Sequence, residues 1–152
     1  MRLDRRWLLA IAVAVIAVGA LALSRFGFFG PSPEDCAPVK DLLDFNRSQA
    51  DRIASKTADS EGIPTVAEEG AYQVWADGLA ERAQNVTAPD LAPKATQVAN
   101  LANEFVGTFS SLRAQAASRA PGAPAPPAAF EMAALNAQIV DNLDQLSSAC
   151  SG

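Results

Sequence analysis

Apolar residues recur at every third or fourth position in four separate stretches after residue 35. This spacing lines one face of a helix, so it predicts four amphipathic α-helices over about 36–56, 66–85, 91–117 and 128–149. The four apolar stripes are Val39, Leu42, Leu43, Ala50, Ile53 and Ala54; Tyr72, Trp75, Leu79, Ala83 and Val86; Leu91, Val98, Leu101, Ala102, Phe105, Phe109 and Leu112; and Met132, Leu135, Ile139, Leu143 and Leu146.

Helix-breaking residues separate these stretches. Pro64 and Pro89 follow the first and second stretches, and four prolines lie within 118–129. Because proline cannot continue a helix, we interpret 118–129 as an extended tether, with a ligand for a proline-binding domain as the alternative. Thr65 and Glu68 have the spacing of a capping box, and Asp90 is placed to cap the third helix.

The N-terminus has the pattern of an export or membrane signal. Residues 1–6 contain three arginines and one acid, and Trp7–Leu23 carries no charge. This pattern predicts a cytoplasmic basic flank over 1–6 and a transmembrane anchor over 7–29, followed by a hinge over 30–35. The alternative is a signal peptide cleaved after Ala22, which would make the protein secreted. Both alternatives place 36–150 outside the cytoplasm, and the anchor makes the chain a single-pass plasma-membrane protein.

The two cysteines lie at the two ends of the predicted helical region. Cys36 stands at the start of the first helix, and Cys150 follows the fourth. An exported chain with two cysteines favours a disulfide, although free or intermolecularly paired thiols are the alternative. In an antiparallel bundle with an even number of helices, the chain starts and ends at the same end. The sequence therefore predicts an all-α protein: an N-terminal transmembrane helix, then an antiparallel four-helix bundle closed by one disulfide.

Composition narrows the functional classes. Eight basic and sixteen acidic residues follow position 29, so this part carries a formal charge of −8, which argues against nucleic acid as a partner. The chain contains no histidine, the commonest general base and transition-metal ligand. We therefore expect no enzyme activity, no catalytic or metal-binding residues and no cofactor.

Two groups of side chains in the predicted helices bear on a site. Tyr72, Trp75, Phe105 and Phe109 recur at matching spacing on the second and third helices, where they form either an aromatic core or an apolar pocket able to hold a lipid chain. Asn46-Arg47-Ser48-Gln49 is interpreted as the exposed face of the first helix.

The chain as a whole resembles the small envelope proteins of high-GC actinobacteria, mycobacteria among them. The likeness lies in its alanine-, valine- and proline-rich composition, its nine arginines against three lysines, its one anchor and its two distant cysteines. The resemblance implies a plasma-membrane anchor and an envelope location. We expect a non-enzymatic accessory or scaffold subunit of a cell-envelope complex, bound to an envelope protein. The alternative is a helical carrier for an apolar ligand such as a lipid.

Overall fold

Four helices make up the secondary structure of the residues that the computed structural model describes, which are 30–57, 65–120 and 122–151. They are α1 (Pro33–Thr57), α2 (Val66–Ala83), α3 (Ala92–Ala117) and α4 (Pro127–Ala149), and the described ranges contain no strand. The all-helical prediction is thus confirmed for this part of the chain. None of these four helices has a stretch that is long and apolar enough to cross a membrane. The predicted basic flank and anchor lie outside the described residues.

Side-chain caps fix the first residues of two helices. Ser32 and Asp35 exchange hydrogen bonds, with the Asp35 backbone N–H donating to Ser32 Oγ and the Ser32 N–H donating to the Asp35 carboxylate, each over 3.1 Å. This reciprocal cap lets α1 begin at Pro33, before the predicted start. Thr65 and Glu68 form the predicted capping box at the start of α2.

The predicted cap of the third helix was wrong. Asp90 lies in a turn, and the residue that precedes α3 is Leu91, whose side chain makes no capping hydrogen bond. Leu91 is buried, and its N–H donates to the Ala88 carbonyl, as does that of Ala92. Burial of an apolar side chain and a backbone turn therefore start this helix in place of a carboxylate.

Contacts between neighbouring helices show that each runs antiparallel to the next. From α1 to α2, Arg82 pairs with Asp41, whereas Trp75 bonds to the later residue Asn46. From α2 to α3, Glu69 pairs with Arg113, and Trp75 packs on Phe105. From α3 to α4, Lys94 bonds to Gln145, and Gln115 accepts a hydrogen bond from the Ala128 N–H. The chain therefore forms an up-down-up-down helical bundle.

The core is built from single rows of apolar side chains interleaved with alanine. The largest fully buried side chains are Phe109, Leu42, Leu79, Leu91, Leu146, Val39 and Val98. Ala76, Ala95 and Ala102 are also fully buried, so the helices approach closely at these positions. Short side chains limit how much apolar surface each helix can bury, which makes covalent closure of the bundle more important.

The predicted disulfide joins the start of α1 to the end of α4. Cys36 and Cys150 are bonded across 114 residues, with their Cα atoms 5.5 Å apart. The first and last helices contact each other least among the four neighbouring pairs of the bundle. The disulfide therefore holds α1 and α4 together, whereas side-chain packing holds the helices together at the other three interfaces.

Gly78 on α2 leaves room for an aromatic ring on α1. A Cβ built at Gly78 would lie 2.1 Å from Cζ of Phe45, whereas a Cβ at Gly70 on the same helix would meet nothing within 4 Å. The Phe45 ring is held there by Arg82, whose guanidinium carbon lies 3.8 Å from the ring centroid. Close packing therefore requires glycine at position 78, where a side chain would collide with Phe45, but not at position 70.

Removing the disulfide should lower the free energy of unfolding substantially. For a loop of this length, the chain-entropy model gives a loss on the order of 4–5 kcal/mol. We expect Cys36→Ser/Cys150→Ser to melt many degrees below the wild type, as measured by circular dichroism. Dithiothreitol should lower the wild-type melting temperature and leave that of the double variant unchanged. An equal melting temperature for wild type and double variant would contradict the role of the bond.

Alanine substitutions at the two glycines of α2 should have opposite effects. Gly70→Ala should raise the free energy of unfolding by up to about 1 kcal/mol through helix propensity. Gly78→Ala gains the same propensity but displaces Phe45, and overpacking typically costs about 1–3 kcal/mol. We therefore expect Gly78→Ala to be destabilised in urea unfolding. A stability gain equal to that of Gly70→Ala would show that Phe45 moves without cost.

Candidate functional site: an apolar groove between α1 and α4

The gap between α1 and α4 forms an open groove with a volume of about 400 Å³. Its walls are Asn46, Ala50, Ile53 and Ala54 on α1 and Asn136, Ile139, Val140 and Leu143 on α4. Its floor is formed by Tyr72 and Trp75 of α2 and Phe105 of α3. No charged residue lines it, and the volume falls within the usual range for small-molecule sites, roughly 300–1,000 Å³.

The aromatic floor is a connected cluster. The ring centroid of Tyr72 lies 5.8 Å from that of Phe105 and 5.0 Å from that of Phe109. Trp75 meets Phe105 edge-on at 6.1 Å, and Phe105 meets Phe109 edge-on at 5.5 Å. Such contacts add stability beyond the area they bury, so the rings of the floor stabilise one another.

Three of the four aromatic residues selected from the sequence line the groove. Tyr72, Trp75 and Phe105 face it, whereas Phe109 is only 1% exposed and lies beneath them in the core. The matching spacing on α2 and α3 brought all four rings together. The spacing did not show which of the four rings would line the groove and which would lie in the core beneath it.

Asn46 is the residue of the site that the sequence interpretation misplaced. It was assigned with Arg47, Ser48 and Gln49 to an exposed face, but Gln49 is buried and Asn46 is half-buried. Asn46 Oδ1 accepts a hydrogen bond of 2.8 Å from Trp75 Nε1. The signal was present in the sequence, since positions 46 and 49 continue the three-and-four spacing of the buried Val39 on the same helix face.

The groove continues along the seam between α1 and α4 toward the disulfide, and its lining changes on the way. Next to the apolar part, the seam is lined by Leu43, Arg47 and Asp144 among others. Lys40, Ser147 and Cys150 line it closer to the bond. The seam is therefore apolar at one end and polar at the end where the disulfide closes it.

Burial on the groove floor raises the pKa of Tyr72. The phenol is partly removed from water, which disfavours the phenolate, and the nearby carboxylate of Glu68 disfavours it further. The phenol consequently stays protonated and neutral beyond the pH at which an exposed tyrosine ionises. This keeps the floor of the groove uncharged.

The described residues contain no group of three or more histidine, cysteine, aspartate or glutamate side chains placed to hold a metal ion. Comparison of the whole chain with protein-family models, with curated proteins and with solved structures gives no match. Evidence on function therefore comes from the geometry of the groove and from the sequence pattern.

Tyr72 is the only tyrosine of the chain, so its ionisation can be followed by the absorbance of tyrosinate. We expect its midpoint above 10.0 in the folded protein and near 10.0 in guanidinium chloride. The folded state then holds this proton more tightly than the unfolded state. This contribution to stability is present below pH 10 and is lost as the pH rises through the folded pKa. A folded midpoint at or below the unfolded one would show that Tyr72 is not desolvated.

Proposed function

We propose that the chain is a non-enzymatic interaction protein that binds an envelope partner as an accessory or scaffold subunit. In this proposal 7–29 anchors it in the plasma membrane, 36–150 lies outside the cytoplasm, and the groove between α1 and α4 is the binding site. The observation that carries the proposal is the groove itself: an uncharged, largely apolar surface left open where two helices of the bundle fail to pack.

One exposed apolar side chain in the groove wall supports this assignment of the site. Val140 in the groove wall is 47% exposed, although it is flanked on α4 by Ile139 and Leu143, which are buried. Isolated apolar residues are common on protein surfaces, but a contiguous apolar patch marks a binding site more often than chance. Here Val140 borders a groove lined mainly by apolar side chains, so a partner would meet a largely apolar surface.

The position of the groove suits a membrane-anchored subunit. The anchor would enter the bundle at residue 30, which lies at the same end as the Cys36–Cys150 bond. At a helical rise of about 1.5 Å per residue, Ile53 lies about 25 Å further along α1 than Cys36. The apolar part of the groove would then face a partner standing beside the domain and well above the bilayer surface.

A second function, as a carrier of an apolar ligand such as a lipid, is favoured by one specific feature. The groove combines an aromatic floor with two amide side chains, Asn46 and Asn136, in the pattern of small-molecule sites. Co-purified lipid in native mass spectrometry of the wild type, displaced by Ala50→Trp, would support this function over the first.

The proposed function is tested by affinity purification of tagged full-length protein from its own membranes after mild crosslinking. Val140→Asp places a charge in the groove wall, and Val74→Asp is the matched control because Val74 is 59% exposed and does not line the groove. We expect a stoichiometric envelope protein with the wild type and with Val74→Asp. Its recovery should fall at least tenfold with Val140→Asp, since burying an unpaired carboxylate costs well over 1.4 kcal/mol.

Two results would contradict the proposed function. A wild-type protein that comes out of its membranes without any stoichiometric partner would remove the accessory-subunit interpretation. Equal recovery of the partner with both aspartate variants would place the contact elsewhere on the surface. Circular dichroism melts of the two variants show whether either has lost its fold, which keeps a folding defect apart from a binding defect.

A further inference from the structure

We infer that the groove receives a single amphipathic α-helix of the partner, which lies along the seam as a fifth helix between α1 and α4. This inference rests on the proposed function and names the element of the partner that the site recognises. The recognised helix would carry an apolar stripe at positions spaced three and four apart, with a basic residue on the flank that faces α4 and an acidic residue on the flank that faces α1.

The walls of the seam have the geometry of a helix-binding groove. Two antiparallel helices form the walls, and the rings of Tyr72, Trp75 and Phe105 form the floor between them. The seam is open along one side from Ala50 to the neighbourhood of the disulfide. An amphipathic helix binds such a groove by placing its apolar face on the floor and leaving its polar face in water.

The length and lining of the seam favour a helix over an acyl chain. Asn136 and Ser147 on α4 line opposite parts of the seam, which at about 1.5 Å per residue is a span of about 16 Å, or three turns of a bound helix. Small apolar ligands are usually enclosed over 70–90% of their surface. This seam is open to water throughout, and beyond Leu43 it is lined by polar and charged side chains, which the polar flank of an amphipathic helix can match and an acyl chain cannot.

Charges at the edges of the seam specify the flanks of the bound helix. Asp144 on α4 lines the polar part of the seam, is exposed, and forms no ion pair within the described part of the chain. The opposite wall carries basic side chains at this end, since Lys40 and Arg47 of α1 line it, with Arg47 in an exposed pair with Asp44. Lysine or arginine on the α4-facing flank of the partner's stripe would meet Asp144, and an acidic residue on its α1-facing flank would meet Lys40.

Photo-crosslinking in the full-length protein, in its own membranes, tests this inference. The photoreactive amino acid p-benzoylphenylalanine is placed singly at Asn136, Val140 or Ser147, three exposed positions along the α4 wall. Val74 and Phe130 serve as controls, because both are exposed and neither lines the groove. Mass spectrometry of the digested adducts then identifies the crosslinked residues.

The expected result is one partner segment whose crosslinked residues lie on one helix face. Because Asn136, Val140 and Ser147 are four and seven residues apart on a helix, the crosslinked partner residues should be about four and about seven apart in one direction. Val140→Asp should reduce crosslinking from Asn136 and Ser147 at least tenfold. A synthetic peptide of the identified segment should compete, and a variant that interrupts its three-and-four spacing should not.

Other outcomes separate failure of this inference from failure of the proposed function. Adducts with lipid, with a second copy of this chain, or with partner residues in no helical register would overturn the bound helix. Protein adducts from Val74 or Phe130 alone would leave a protein partner in place but move it away from the groove. If none of the five positions gives a protein adduct, both the bound helix and the interaction protein are overturned.

Discussion

The Cys36–Cys150 bond is the constraint on which the arrangement of the bundle depends. Three interfaces, from α1 to α2, α2 to α3 and α3 to α4, are formed by interleaved side chains, whereas α1 and α4 meet little beyond the bond. A disulfide holds the two helix ends that it joins at a fixed distance, without a packed surface between them. The bundle is therefore closed at one end and open along its seam, and the open part is the groove.

The floor of the groove has its indole N–H satisfied within the bundle and its phenol uncharged, so neither needs an occupant. The indole N–H of Trp75 donates to Asn46, which crosses from α1 to do so, and the phenol of Tyr72 stays neutral. A buried donor without a partner would have destabilised the empty groove and attracted water to it. As the site stands, an incoming apolar face needs to supply no hydrogen bond to the indole of the floor.

Periodicity in the sequence was sufficient for the helices and their order, and the two cysteines of a chain expected to be exported added the disulfide. These three features follow from local patterning and from counting helices and cysteines. None of them depends on how side chains interdigitate. The groove is different, because it depends on which two helices pack poorly. Asn46 shows the limit most clearly: the polar type of the residue suggested exposure, but its position on the buried face and the indole opposite it decide its place. Phe109 shows another limit: the spacing of the aromatics left open whether they form a core or a pocket, and this ring lies in the core beneath the groove.

An open seam held by a covalent bond has a consequence for binding. If nothing fixed α1 and α4 relative to each other before binding, the partner would have to bring both helices into position. The free-energy cost of that ordering would reduce the affinity. With the bond in place, three helix interfaces and one fixed end keep the walls in position beforehand. A fifth helix would then add packing to the one interface that lacks it, so occupancy would stabilise the whole bundle by mass action. In this proposal the disulfide and the partner would stabilise the same interface, the bond at its closed end and the partner along its open length.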